Sequence, residues 1–453
     1  MSYILSFFNF IQGLGATVMM PIIICIFGII LGTEKGKSLR AGLTVGVGFI
    51  GLNLVIGALG SNLGPAVQQM VTRFGLHLSV IDVGWPAAAA IAFASTVGMV
   101  IIPVCLLVNI VMLLTNTTQT IDVDIWDYWH FAFTGALVAI VTGSQTLGLV
   151  AAVLNMVIIM VIGDYTAPGV EKTLGLPGVS LPHGFSGAYA PIAIVINKII
   201  DLIPGVNKID INMDKIQEKF GVFGEPIIVG SVLGIIIGAV AGYDISKILQ
   251  LGITMGAVLV LIPRMASLLM EGLLPISDAA SEFINKHFSN RGKMYIGLDS
   301  AVGVGHPLTL SVSLILVPLT LLIAVILPGN KVLPFADLAV IPWMFVLITP
   351  VVKGNGFRAL INGVVVLAFG LLIATNLSPL ITTAAINAKY ALPSNATQIS
   401  SICDGANPLT WAIVRLNDLG TIGMVIIAVV AIGLALMNRR RILKEAAELK
   451  LAQ

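Results

Sequence analysis

Charged residues are scarce in this chain. Asp, Glu, Lys and Arg make up 10% of its 453 residues, while 57% are hydrophobic. A soluble domain carries roughly 25% charged residues, so the composition excludes an ordinary soluble protein. Cysteine is scarce too. Cys25, Cys105 and Cys403 stand far apart without metal-type spacing, which reads as buried small hydrophobes and no structural disulfide. There is no Gly-x-x-x-x-Gly-Lys-Ser/Thr loop, so the chain does not hydrolyse ATP as a P-loop motor would. Basic patches with interleaved aromatics are missing, which argues against nucleic-acid binding. The alternating segments of an outer-membrane barrel are missing as well. No stretch offers a cytosolic domain of useful size, a metal-ligand cluster, or a nucleophile with a base at fixed spacing. The first residues show no basic n-region and no small-residue cleavage site, so no signal peptide is expected.

Long apolar runs fill most of the chain. A membrane span needs about 20 apolar residues, and by that ruler there are roughly ten or eleven candidate helices. The better ones cover 13–32, 39–59, 97–114, 146–163, 227–242, 249–270, 308–327, 335–352, 360–375 and 421–437. The expected fold is an all-α polytopic inner-membrane protein. The placement of charge says more than its net value of +2. Arg439, Arg440 and Arg441 follow the last run and mark a cytoplasmic C-terminus. Residues 1–12 carry no charged side chain, and the next loop holds Lys35, Lys37 and Arg40. The N-terminus is therefore expected outside, which makes the number of spans odd.

The chain echoes itself. Leu39, Gly42, Thr44 and Gly46 recur as Leu249, Gly252, Thr254 and Gly256, at an offset of 210. At the same offset Gly28 meets Gly238 and Gly32 meets Gly242, and at 217 Trp126 meets Trp343. Two related halves, about 10–200 and 220–415, are the pattern of many secondary transporters, whose substrate site lies between the repeats. An odd number of spans per half would invert the second half. Residues 198–220 read as a charged, partly helical cytoplasmic linker, and 285–293 as a second polar loop. A final helix at 420–437 closes a membrane domain of 1–438, and a basic tail covers 439–453.

Polar groups at bilayer depth are costly unless they face a cavity or a partner. Few occur here, and they cluster. Asp82-Val-Gly-Trp85-Pro86 breaks regular helix, which membranes tolerate where the chain lines a buried cavity. Trp85 is suited either to stacking on a sugar-like chain or to anchoring at the interface. In Asp122-Val-Asp124-Ile-Trp126-Asp127-Tyr128-Trp129-His130, the acids look partly interfacial. His130 and Thr134 share a helix face, as a permeation path or as a helix–helix hydrogen bond. Pro182-His183-Gly184 lets backbone approach a ligand closely. Glu225, beside Pro226, reads as a helix-start residue or a site carboxylate. The Gly-rich stretch from Gly297 through Asp299 to His306-Pro307 suits a re-entrant hairpin, and an ionised Asp299 would accept hydroxyl donors. Asp404-Gly405-Ala-Asn407-Pro408 is the last such island. Of the five histidines, His77 and His287 read as loop residues of little consequence.

These motifs resemble those of a known family. Asp82-Val-Gly-Trp-Pro86, Trp129-His130 with Phe-Thr134-Gly-Ala-Leu137, Pro182-His-Gly184, Lys219-Phe-Gly-Val-Phe-Gly-Glu225-Pro226, Ala241-Gly-Tyr-Asp244, Gly297-Leu-Asp299, Pro328-Gly-Asn330 and Leu333-Pro-Phe-Ala-Asp337 occur in order. Together they resemble the galactitol-type IIC component of the bacterial phosphoenolpyruvate-dependent sugar phosphotransferase system, over nearly the whole chain. The resemblance implies a membrane subunit that binds galactitol or a similar polyol and releases it inside as a phosphate ester. It would carry no phosphorylated residue of its own and need no cofactor or metal. The phosphoryl group would come from a separate IIB protein bearing a phosphocysteine, charged in turn by IIA. The related ascorbate permease implies a homodimer of about eleven transmembrane helices. It also implies two inverted repeats, two re-entrant hairpins and a core domain that moves against a scaffold.

By that similarity His130, Thr134, His183, Gly184 and Asp299 fall at the sugar contacts. That permease has glutamine-type partners where this chain has Thr134 and Gly184, so the ligand contacts differ. The substrate-binding candidates are therefore Asp82, Trp85, His130, Thr134, His183, Gly184, Glu225, Asp299, His306 and Asp404. His306 ranks below Asp299, because it ends the hairpin. A base for the attacked hydroxyl is open between Asp299, Glu225 and a neutral histidine, with Asp299 the first choice. The competing reading is an ion-coupled secondary transporter of a polyol or sugar acid using Asp299 and Glu225.

Overall fold

In the first described turn of the chain, Gly32 ends one apolar helix and allows the next to begin. The structure is a computed structural model that describes residues 16–30, 32–74, 78–122, 124–209, 225–288, 294–304, 306–390, 392–393 and 396–452. His77 lies outside these. Gly32 adopts φ +93°, a left-handed conformation that closes the helix Ala16–Ile30 before the helix Lys35–Phe74. The backbone N–H of Thr33 donates to Gly28 at 2.9 Å. The same device recurs further on. Gly242, φ +80°, separates the helices Pro226–Ala241 and Ile245–Phe288, and Tyr243 donates to Gly238 at 3.0 Å. Packing inside each hairpin also matches. A Cβ on Gly42 would strike the carbonyl of Pro21, and one on Gly252 would meet the carbonyl of Ser231 at 3.1 Å.

The two long helices, of 40 and 44 residues, pack against each other and outrun the apolar spans expected at 39–59 and 249–270. Polar residues and Pro65 lie in the extra length, yet the helix continues. Its end is held where Arg73 donates to the Val240 carbonyl at 3.3 Å. The expected loop at 285–293 is shorter for the same reason, since helix persists to Phe288. Of the linker read at 198–220, residues up to Asp201 are helix and 206–208 form a 3-10 turn; 210–220 lie outside the described residues.

Among the described residues, six short strands form two parallel sheets, which hydropathy does not signal. β1 (Val80–Asp82) lies between β5 (Val332–Leu333) and β6 (Gln398–Ser400). β4 (Tyr295–Gly297) lies between β2 (Thr120–Asp122) and β3 (Val179–Ser180). Each sheet thus takes its central strand from one half of the chain and its outer strands from the other. With two or three residues apiece, the strands serve to bring the ends of short helices together at the centre of the protein.

Helices of two kinds surround these sheets. Among the described residues, Thr96–Leu114, Gln145–Leu174, Gly356–Asn387 and Thr421–Glu448 are long and apolar enough to cross a membrane. Others are short and enclosed: nine residues of Trp85–Ala94 and twelve of Tyr128–Thr142 are buried. A helix apolar all round belongs in the interior. The span expected at 335–352 is broken into Ala336–Val340, Ile341–Val346 and Ile348–Val351. Pro342 and Pro350 remove backbone donors from that run. The basic stretch from Arg439 continues the last helix, Thr421–Ala452. Its exposed stripe, Ile422, Val425, Val429, Ile432 and Leu436, faces outward at helical spacing, while Met424, Ile427, Ala431, Ala435 and Asn438 face the core.

Candidate substrate site

The chain after four of the strands supplies polar side chains, and these segments meet. After β2, Asp127 opens the helix Tyr128–Thr142 and places His130 on its first turn. After β3, His183 caps the helix Gly184–Asp201, its Nδ1 accepting the Ser186 backbone N–H at 3.2 Å. After β4 comes Asp299, and after β6 come Asp404 and Asn407. Asn407 caps the helix Pro408–Leu416 through Leu409 and Thr410.

The histidines lie side by side, ring centroids 4.5 Å apart. His130 Nδ1 is 2.7 Å from Asp404 Oδ2. Asn407 Nδ2 donates to Asp404 Oδ1 at 2.9 Å and to the Gly184 carbonyl at 3.0 Å. Gly184 is required here, because an added Cβ would strike the His130 side chain at its Cβ and ring base. His183 Nε2 faces Asp127 Oδ1 at 3.6 Å and Asp299 Oδ1 at 3.5 Å. Asp299 is fixed by its own backbone: its N–H donates to Asp124 Oδ2 at 3.0 Å, and its Oδ1 accepts the Ala301 N–H at 2.7 Å. Both oxygens of Asp127, and His130 Nε2, are buried without a hydrogen-bond partner. Burying a polar atom unpaired costs roughly 1–3 kcal/mol, and the cluster keeps acceptor capacity for further donors.

Aromatic rings wall one side. Trp85, half-buried, stacks on Trp129 at 6.4 Å and meets Trp126 edge-on at 6.2 Å. Trp129 in turn lies 4.1 Å from the His130 ring. Ligand atoms of Asp127, His130 and His183, and those of Asp124, Asp127 and Asp299, fall within 4.8 Å of one another. Such groups suit a cation or several hydroxyls. Ionised carboxylates only accept, and among the described residues no lysine or arginine forms an ion pair with them.

The sequence candidates divide. His130, His183, Gly184, Asp299 and Asp404 come together, with Trp85 in the adjoining wall. Thr134 sits one turn below His130, where its hydroxyl meets Thr410 at 2.8 Å and accepts from Asn155 at 2.8 Å. Asp82 lies in the other sheet, its oxygens accepting the backbone N–H groups of Gly84 (3.1 Å) and Asp337 (2.8 Å). Glu225 is exposed at the start of the helix Pro226–Ala241, and His306 precedes the helix Pro307–Ile326. Sequence reasoning passed over Asp124, Asp127 and Asn407 as site residues. The Asp127–His130 spacing of three, one helical turn, was the available signal.

Buried acids, paired imidazoles and indoles thus meet where short helices begin, inside a protein whose long apolar helices fit a membrane permease. Sequence comparison gives the family. Residues 9–395 match the family EIIC-GAT, described as "PTS system sugar-specific permease component". The chain is 43% identical over 434 residues to the "PTS system galactitol-specific EIIC component" of Escherichia coli (strain K12), covering 96% of each. It is 41% identical over 438 residues to a "Putative permease IIC component" of the same organism, covering 97% of this chain and all of that protein. The chain therefore belongs to the EIIC-GAT family and is a permease subunit of the phosphotransferase system.

Proposed function

We propose that the protein carries galactitol or a similar hexitol across the inner membrane and releases it inside as a phosphate ester. The phosphoryl group is supplied by a separate IIB protein recharged by IIA. The observation that carries the substrate class is the unpaired Asp127 carboxylate beside His130 and His183, flanked by Asp299. A hexitol offers a hydroxyl on every carbon, and adjacent hydroxyls can satisfy acceptors spaced a few ångströms apart. The tryptophan wall suits its carbon chain. In this reading Asp82 and Thr134 hold the segments that carry the site, and His306 ends the hairpin containing Asp299.

The same proposal includes two inverted repeats, two re-entrant hairpins, about eleven spans and a homodimer whose core domains move against a scaffold. Support comes from the matched Gly32 and Gly242 caps, the Gly42 and Gly252 contacts, and the exchange of central strands between the sheets. The N-terminus is outside and the C-terminus cytoplasmic. Reporter fusions at either end test the orientation.

Uptake into vesicles tests the function. Galactitol should accumulate as phosphate only when phosphorylated IIB is supplied. Accumulation of free polyol driven by a pH or sodium gradient alone would instead establish the ion-coupled reading.

A further inference from the structure

The two histidines of the site are held in opposite tautomers. His183 Nδ1 accepts the Ser186 backbone N–H at 3.2 Å, while the Ser186 hydroxyl donates to the Trp343 carbonyl at 2.6 Å. In neutral His183 the proton is therefore on Nε2, directed at Asp127 and Asp299. His130 is the reverse. Its Nδ1 lies 2.7 Å from a carboxylate that can only accept, so Nδ1 carries the proton. In the neutral ring its Nε2 is then a lone pair, buried without a hydrogen bond and 4.0 Å from Asp127 Oδ1. Asp404 is itself fixed by Asn407, which also donates to the Gly184 carbonyl. A carboxylate that orients an imidazole whose far nitrogen is free is the arrangement of a general base with its positioning acid.

Resting on the function proposed above, we infer that His130 is the general base of phosphoryl transfer and that Asp404 positions it. A polyol hydroxyl donates to His130 Nε2, while a neighbouring hydroxyl donates to Asp127. As the hydroxyl oxygen forms its bond to phosphorus, the bond from phosphorus to the cysteine sulfur of IIB breaks and the thiolate leaves with the electron pair. The hydroxyl proton passes to His130 Nε2. Asp404 stabilises the imidazolium until the proton returns to water. Asp299 is less suited, because its Oδ1 already takes the Ala301 N–H and faces the His183 Nε2–H.

The test uses the full chain in proteoliposomes with its phosphorylated IIB protein and radiolabelled galactitol. Equilibrium binding and single-turnover formation of galactitol phosphate are measured for His130→Gln, Asp404→Asn and Asp299→Asn. General bases contribute roughly 10²- to 10⁴-fold. His130→Gln should lose transfer on that scale while binding galactitol within about tenfold of wild type. Asp404→Asn should bind normally and transfer more slowly, since its amide no longer holds the imidazole proton on Nδ1. Asp299→Asn should weaken binding and, once saturated, transfer normally. Transfer by His130→Gln within threefold of wild type overturns the proposal. So does a saturated Asp299→Asn that fails to transfer while His130→Gln succeeds. If His130→Gln binds nothing, Asp404→Asn decides: undiminished transfer overturns the assignment, and slowed transfer with intact binding supports it. Failure of the underlying function is distinct, because the wild type itself then forms no galactitol phosphate and the inference falls with it.

Discussion

The backbone N–H of Asp337 donates to Asp82 Oδ2 at 2.8 Å, across 255 positions of sequence. The return bond runs from the backbone of Trp85 to Asp337 Oδ1 at 2.6 Å. Asp337 Oδ2 accepts from Ser401 and Cys403. The carboxylates thus bind three loops that follow the strands of one sheet. The bond from Asp299 N–H to Asp124 Oδ2 does the equivalent in the other sheet. One carboxylate of the second pair, Asp299, also faces His183, so the two bridges share a construction and differ in what they present.

Asp82→Asn should accordingly act on stability. Its amide nitrogen would meet a backbone donor, leaving one buried group unpaired at a cost of roughly 1–3 kcal/mol. Thermal unfolding in detergent should show a clear fall in midpoint. An unchanged midpoint with lost galactitol binding would return Asp82 to the list of ligand contacts.

Gly184→Ala should lower galactitol affinity at least about tenfold by displacing the His130 ring, a change worth about 1.4 kcal/mol. Gly433→Ala is the control, since a Cβ there meets nothing. In a helix interior alanine is favoured over glycine by about 1 kcal/mol, so this variant should bind normally and melt no earlier. Equal affinities for both variants would refute the close approach of Gly184 to His130.

Thr134→Val separates packing from ligand contact. The Thr134 hydroxyl satisfies Asn155 and meets Thr410. Its removal leaves the buried Asn155 amide without this acceptor and should cost roughly 1–3 kcal/mol in unfolding. Binding of galactitol measured below the melting transition should stay within a few fold. A large loss of affinity at undiminished stability would make Thr134 a direct contact.

Asn438→Ala tests the anchor midway along the last helix. Asn438 Nδ2 donates to the buried Asp164 at 2.6 Å and to the Thr117 carbonyl at 2.9 Å. Asp164 also accepts the Thr120 hydroxyl, at the start of β2. Losing the amide should destabilise the protein by about 1–3 kcal/mol and raise proteolytic cleavage near 115–120. Unaltered melting and cleavage would show that the 438–452 segment does not brace β2.

How much of this was legible before folding differs by residue. His130, His183 and Asp299 stand out because a polar group in an apolar run is costly. Asp127 was masked by neighbouring acids and aromatics, which read as an interface. Glu225 had two readings, a helix start or a site carboxylate, and it stands exposed at a helix start. The sheets escaped notice because strands of two or three residues leave no periodicity.

Composition and hydropathy alone determine that this chain lives in a membrane, because apolar surface must avoid water wherever the helices come to rest. The order of motifs determines its family. Tertiary structure decides which polar groups are spent and which are free. A hydrogen bond such as His130 to Asp404 joins residues 274 positions apart. Whether a lone pair faces a backbone donor, as in Asp82, or accepts no hydrogen bond, as in His130, depends on packing that no local pattern encodes.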